Sequence, residues 1–379
     1  PLRVVVAGAG IVGASIAYHL ARAGAAVTVI DQQGPATHAS RGTFAWINAT
    51  WAKQPRHYHG LNQQGVTDWL QLQSELALPV RWGGSLEWFA SDARQQRLAE
   101  QIAEQVAWGE PASMVHAETL AQLEPELAVP PGLSAAYSPN DGAVDPVAAT
   151  LKLLAAAQQL GAKVRFPVTL QNVTTAGGKL TGVQTTAGLL PADRLVLATG
   201  ATELAERITG AALPQRSTPG AIAFTQPMPR LLNRVISAPG VHMHQRDDGR
   251  FVLGEQEGAP DNTAHQMRLQ GRPNDFPNEE IARQHGNRML EIARRWLPGL
   301  KAAVIDTAVI GWRPLPVDGH PVLGATPASP DVYVAIMHSG VSLAPVVGQL
   351  AAYELTAGAA LEQLSPYRPT RDFETVRRY

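Results

Sequence analysis

Glycines at positions 8, 10 and 13 fall in the stretch GAGIVG, and an aspartate follows at position 31. In a turn of this spacing Gly8 permits the tight bend, Gly10 lets the backbone approach a pyrophosphate, and Gly13 lets a helix pack closely on a strand. The free N–H groups at the start of that helix suit an anion. A carboxylate at Asp31 accepts hydrogen bonds from ribose hydroxyls and repels a 2′-phosphate, which points to FAD or NAD rather than NADP. Arg313, in GWRPLPVDGHP, is the next residue with chemistry to explain, because few other charges surround it. A buried guanidinium needs an anion, either an internal acid such as Asp318 or a substrate carboxylate held through two parallel hydrogen bonds. The residues alone leave both open. His242 and His244 lie two apart on an expected strand and so share one face. A metal there would need further ligands, and no third histidine or acid completes a known spacing, so no metal site is expected. His57 and His59 have no supporting context.

These residues need elements to place them. Residues 2–7 form a short continuous apolar run, as a buried parallel strand does. A helix then carries Ile16, Ala17 and Leu20, stops at Gly24, and gives way to a second apolar strand over 26–30. A secretory signal or membrane span does not fit this end, since His19 and Arg22 interrupt the uncharged run before about 18 residues accumulate. Residues 34–51 are polar and small, an ordinary loop by composition, yet Ser40, Arg41 and Thr43 offer donors to a second phosphate or a flavin ring. Further on, a helix is expected over 145–160, a returning strand over 161–168, and a buried strand over 194–200 that ends in Thr199 and Gly200. A last strand, 332–336, leads through MHSGVSLAP into a helix containing Val346, Leu350 and Leu355. Amphipathic helices at 91–108 and 278–297 read as scaffolding, with Ser91 as a cap and Pro298 and Gly299 as a stop. The tryptophans 46, 51, 82 and 88 are expected to be core.

Composition narrows the class. A chain of 379 residues, 45% hydrophobic and 17% charged, suits two compact domains at about 150 residues each. The 31 basic and 32 acidic side chains nearly cancel, which offers no general attraction to nucleic acid or anionic lipid. The complete lack of cysteine removes disulfides, thiolate nucleophiles and cysteine-ligated metals together.

Taken in order, VVVAGAGIVGASIAYHLARAGAAVTVID, HASRGTF, HAETLAQLEPEL with NDGAVDP, GAKVRFPV, RLVLATGA, GWRPLPVDGHPVLG and HSGVSLAPVVGQL resemble the D-amino-acid oxidase, glycine oxidase and sarcosine oxidase family of FAD enzymes over essentially the whole chain. The resemblance implies an α/β fold, α+β overall. A Rossmann-like FAD-binding domain over 1–80, 142–212 and 311–379 would be interrupted by a substrate domain over 81–141 and 213–310, built on a mainly antiparallel sheet. It implies that Gly8, Gly10 and Gly13 form the pyrophosphate turn and that Asp31 takes the adenosine ribose, where relatives more often carry glutamate. Ser40, Arg41 and Thr43 match the loop beside phosphates and flavin, and Val168 the residue whose backbone holds adenine. Thr199 and Gly200 match a strand end near the cofactor, and Gly340, Val341 and Ser342 the turn beneath the isoalloxazine ring. A helix starting near Leu343 would aim its positive end at the flavin pyrimidine. Arg313 matches the substrate carboxylate clamp, His242 a substrate-contacting tyrosine of relatives, and His338 a further pocket residue.

The reaction so implied is oxidation of a C–N bond in an amino acid or N-substituted glycine by hydride transfer to flavin N5, giving an imine that hydrolyses. Oxygen, or a quinone or carrier protein, would then take the electrons. Sarcosine-oxidase-like relatives use a lysine near the flavin to activate oxygen, and none occurs between Lys179 and Lys301. They also attach flavin through a cysteine, so FAD here is expected to be noncovalent unless a histidine takes that role. A cytoplasmic location, or the inner face of a membrane for a dehydrogenase, is expected, with no transmembrane segment. The rival readings are a NAD-dependent dehydrogenase, which would purify colourless, and a noncatalytic flavin- or nucleotide-binding protein, whose flavin no amine would bleach.

Overall fold

The fold is that of a computed structural model, which describes residues 1–37, 40–256 and 274–376. His38 and Ala39 of the HASRGTF stretch, residues 257–273 of the expected substrate domain and residues 377–379 lie outside the described residues.

The strand Arg3–Ala7 is buried at every position after its first. Such an element has no face for water and belongs inside a covered parallel sheet. It pairs with Ala26–Ile30 on one side and Arg194–Leu197 on the other, both parallel. Lys163–Arg165 continues the sheet beyond Ala26–Ile30, Ser329–Ile336 continues it beyond Arg194–Leu197, and an antiparallel edge strand, Val322–Thr326, completes six strands. The chain order reverses around Arg3–Ala7, and such a reversal opens a crevice at the carboxyl ends of the strands. The returning strand expected over 161–168 is shorter than its pattern. Its ladder ends at Arg165, because Pro167 has no N–H to give.

Helix Ile11–Arg22 packs on this sheet and against helix Gly340–Ala357, where the buried Ser15 hydroxyl donates to the Ala344 carbonyl at 2.6 Å. The latter helix begins three residues before its expected start near Leu343. Pro345 therefore falls inside it, with no N–H for the carbonyl of Val341, four residues earlier. The indole of Trp69 donates to that carbonyl at 2.8 Å and removes the conflict. Helix Pro146–Gln159 is capped by Asp145, which accepts from Ala148 N–H at 3.1 Å.

An eight-stranded sheet faces the crevice, in the order Ile305–Pro316, Gln215–Thr225, Phe251–Gly254, Val241–Gln245, Val235–Ala238, Ser85–Glu87, Ser134–Ser138, Ser113–His116. It is antiparallel except where Val235–Ala238 meets Ser85–Glu87. Alternation along Val241–Gln245 sends Val241 and Met243 into a core shared with Met289, Leu290 and Ala293 of helix Glu279–Trp296. His242 and His244 point to the other face. The expected Ser91 cap is present, accepting from Arg94 N–H, and Asn278 caps the other helix by accepting from Ile281 N–H. Two three-stranded sheets complete the described strands. No described helix is long and apolar enough to cross a membrane.

Candidate active site

The crevice is a cavity of about 510 Å³ between the carboxyl ends of the parallel strands and the face of the eight-stranded sheet. Of the residues expected at the site, all but Gly13 and Arg41 line it. Gly8 turns the chain at φ +115°, and a Cβ there would overlap the Ala198 carbonyl. Gly13 does its work behind the cavity, where a Cβ would overlap the Gly8 carbonyl. The Ser40 hydroxyl caps the helix start, accepting from Ile11 N–H at 3.0 Å. Asp31 fastens the turn: one oxygen accepts from Ala9 N–H and the other from Gln33 and Gly34 N–H, each at 2.9 Å. Val168 donates its N–H to the Asp31 carbonyl at 2.8 Å. Arg41 points elsewhere and pairs with Asp275 at 2.9 Å.

Arg313 and His242 meet on the sheet side of the cavity. Arg313 lies half-buried on Ile305–Pro316, and its guanidinium passes over Gly220, where a Cβ would come within 2.8 Å of Nη2. Asp318, the internal acid weighed against a substrate, is engaged by a different arginine, Arg371, through contacts of 2.8 and 3.1 Å. Burial and then the Arg313 charge push the His242 imidazole down to about 3, so the ring is neutral at ordinary pH. Its Nε2 is buried without a partner among the described residues. Rings of Phe44, at 5.3 Å, and Trp46, at 5.7 Å, hold it in place. His244 is spent structurally, its Nε2 bonded to the Phe44 carbonyl at 2.9 Å. The described residues contain no cluster of metal-ligating side chains.

The third wall is the loop from Phe44 to Lys53, which carries a residue missed by the sequence reading. Lys53 is almost fully buried, lines the cavity, and donates to the Ser339 hydroxyl at 2.8 Å. Ser339 precedes helix Gly340–Ala357 in a left-handed conformation, φ 60°, which a serine adopts only under constraint. Its hydrogen bond to Lys53 is one such constraint. Ser342 also works on the loop, its hydroxyl accepting from Asn48 N–H at 3.0 Å and donating to the Trp46 carbonyl at 3.2 Å. One signal was available: Lys53 is the one lysine before Lys152, and it ends an aromatic, uncharged run, FAWINATWAK.

A family model for FAD dependent oxidoreductases matches residues 3–354. The chain belongs to that family. Among curated relatives, this oxidoreductase is 27% identical to hydrogen cyanide synthase subunit HcnC of Pseudomonas aeruginosa, over 85% of its own length and 84% of the relative's. Its fold matches L-proline dehydrogenase from P. horikoshii with a TM-score of 0.83 at 23% identity, covering 97% and 96% of the two chains. It also matches iminodiacetate oxidase from Chelativorans sp. BNC1 with a TM-score of 0.77 at 25% identity, covering 97% and 99%.

The cavity of this FAD-dependent oxidoreductase fits its cofactor's demands. A Cβ on Gly10 would stand 3.1 Å from Ser40 Oγ, inside the concavity at the helix start where a phosphate needs backbone N–H groups. Two backbones also touch at the cavity wall, where a Cβ on Gly42 would overlap Gly311. At the opposite end His242, whose Nε2 has no partner among the described residues, and the Arg313 guanidinium supply polar groups beside the Phe44 and Trp46 rings, with Glu255 and Gln256 also on the lining. A few placed polar groups among apolar ones are usual in a small-molecule site.

Proposed function

We propose that the protein oxidises the C–N bond of an amino acid or an N-substituted glycine. The observation that carries this reading is the pairing of Arg313 with a neutral His242 in the cavity that begins at the Gly8 to Gly13 turn. A guanidinium over an open backbone holds a carboxylate through two hydrogen bonds, and a neutral imidazole repels no cation and accepts from an amine N–H. Arg313 thereby orients the substrate, and the aromatic wall of Phe44 and Trp46 keeps bulk water from it.

FAD, when bound, supplies a two-electron hydride acceptor. The carbon next to nitrogen would give up hydride to that acceptor and the nitrogen one proton to solvent, leaving an imine. Water then adds to the imine and releases ammonia or an amine together with a carbonyl product. No general base from the chain is required, because the neutral amine supplies its own lone pair. The chain contributes position and electrostatics.

The dinucleotide would be held by the open backbone of Gly8 and Gly10 at its pyrophosphate, by Asp31 at its adenosine ribose, and by Ser40, Thr43, Thr199, Gly200, Gly340, Val341 and Ser342 along the remainder, with His338 a further pocket residue. Ile11 N–H donates to Ser40 Oγ and would have to leave it to reach a phosphate. Arg41 would have to leave Asp275 to reach a phosphate. The Val168 N–H is already spent on Asp31, so adenine would meet the rest of that residue. In this reading the six-stranded sheet with its helices is the cofactor domain and the eight-stranded sheet the substrate domain. With no cysteine in the chain, FAD is expected to be noncovalent, and acid precipitation should leave the yellow colour in the supernatant.

The test is an anaerobic screen of D- and L-amino acids, sarcosine, iminodiacetate and proline, following flavin absorbance. Bleaching by one structural class supports the proposal. A flavin that stays oxidised with all of them, or a protein that purifies colourless, refutes it. Peroxide formed in air then distinguishes oxygen from a quinone or carrier protein as acceptor.

A further inference from the structure

Asp141 is completely buried and does not reach the cavity, yet it is bonded to a side chain that does. Its Oδ2 accepts from the Trp46 indole N–H at 3.0 Å and from the Ser85 hydroxyl at 2.7 Å. The Trp46 ring lines the cavity and stands edge-on to His242, 5.7 Å between centres and 80° between planes. The rest of the loop is also held from behind by polar groups. Gln105 donates to the Thr50 carbonyl at 2.7 Å, Ser138 donates to the Thr50 hydroxyl at 3.1 Å, and His59 bonds the Ala49 carbonyl at 2.7 Å. Only Asp141 grips an aromatic ring of the cavity wall among these contacts.

We propose that Asp141 is a positioning residue for ligand selection: it fixes the Trp46 indole, which in turn fixes His242 against the carboxylate held by Arg313. The proposal rests on the reading of the Arg313 and His242 end as the substrate end. An indole with its N–H anchored cannot turn about χ2, so the wall offers one shape. Without the acceptor, Trp46 is free to tilt and the imidazole loses a ring neighbour, keeping Phe44.

A titratable anchor adds a consequence that a backbone carbonyl would not. Burial pushes the Asp141 carboxyl up to about 8, the Glu110 charge adds to this, and the hydrogen bonds from Ser85, Trp46 and Ala49 oppose it. Other charged or titratable groups facing this region among the described residues include Glu87, itself raised to about 8 by burial, Arg94, which opposes that rise, and His59, which pairs with Glu110 at 3.3 Å. Above that pH a negative charge appears behind Trp46 and repels the ligand carboxylate. Carboxylate binding should then weaken while the cofactor end of the cavity is untouched.

The experiment uses FAD-loaded protein and benzoate, a carboxylate without an oxidisable C–N bond, so the outcome does not depend on turnover. Its Kd is followed by flavin absorbance from pH 6 to 9.5 in wild type, Asp141→Asn, Asp141→Leu and Glu87→Gln. Asparagine keeps an acceptor for Trp46 and Ser85 but cannot ionise. At pH 7 we expect Asp141→Asn within about twofold of wild type and Asp141→Leu about tenfold weaker, the size of one lost anchoring hydrogen bond. FAD content should be the same in all. Between pH 7 and 9 the wild-type Kd should rise several-fold, and that rise should vanish in Asp141→Asn and persist in Glu87→Gln. In parallel, the Trp46 indole resonance of 15N-labelled protein, assigned through Trp46→Phe, should titrate in wild type and not in Asp141→Asn. The proposal is overturned if benzoate affinity is the same, or equally undetectable, across the variants, if the alkaline rise belongs to Glu87, or if the Trp46 resonance is flat in wild type. A screen in which no amine bleaches the flavin would remove the functional reading by a separate route.

Discussion

Arg313 carries the heaviest burden at the scale of single residues, because it lines the cavity together with His242. Arg313→Leu should raise KM for a carboxylated substrate by a factor of about 30 or more, the loss attached to truncating a charge-assisted pair. FAD content should not change, since the glycine turn and Asp31 lie at the other end of the cavity. Unaltered steady-state kinetics would sink the carboxylate clamp. Lys53 invites a different measurement. The Lys53 amine, buried at the cavity and tied to Ser339, would when protonated lower the cost of charge arriving on a small acceptor beside it. Lys53→Met is therefore expected to slow reoxidation of the reduced flavin by oxygen about tenfold or more, with anaerobic reduction by substrate affected less. Equal reoxidation rates in stopped-flow traces would assign Lys53 to the support of Ser339 alone.

At the scale of elements, periodicity was informative where one pattern met one environment. The strand Arg3–Ala7, the helix after it and the helix Pro146–Gln159 with its Asp145 cap follow from local rules, since their partners are supplied within a few dozen residues. The scaffolding helices at 92–107 and 279–296 were equally legible from their apolar spacing, the Ser91 cap and the Pro298 and Gly299 stop. The loop from Phe44 to Lys53 was not, because its conformation comes from contacts remote in sequence, with Ser342, Gln105 and Ser138. That is why Trp46 and Trp51 read as core and Lys53 went unnoticed, although all three line the cavity. The start of Gly340–Ala357 was obscured similarly: Pro345 argues locally for a later start, and only Trp69 makes the earlier one tolerable. Trp69→Phe leaves the Val341 carbonyl buried without its donor, so a loss of about 1–3 kcal/mol in unfolding free energy is expected. The denaturant midpoint should fall without a change in slope. A midpoint equal to wild type would mean the helix start does not need that indole.

The whole molecule integrates these buried groups into a pH dependence of stability. Asp141 and Glu87 are raised to about 8 mainly by burial, and His242 and His244 are lowered to about 3 by the same cause. A carboxyl raised on folding holds a proton that the unfolded chain gives up near pH 4, so its contribution is complete below that and is lost as pH rises to about 8. A histidine lowered on folding stays neutral while the unfolded chain takes a proton near pH 6.5, so its contribution is complete above that and is lost as pH falls toward 3. From about pH 4.5 to 6.5 the two carboxyls and two histidines oppose each other, proton for proton. Between about 6.5 and 8 the carboxyls act alone, and stability from these four groups must decline. Glu87→Gln and Asp141→Asn should each remove one proton's share of that decline, so their midpoints relative to wild type improve from pH 6.5 to pH 8.5. Unfolding midpoints need a fixed excess of FAD, because a ligand that binds only the folded chain shifts them with its concentration. If the curves of both variants run parallel to wild type across that window, these carboxyls are already ionised in the fold. The dry layer behind the cavity would then hold two charges, and the neutral wall inferred for Trp46 and His242 would have to be abandoned with it.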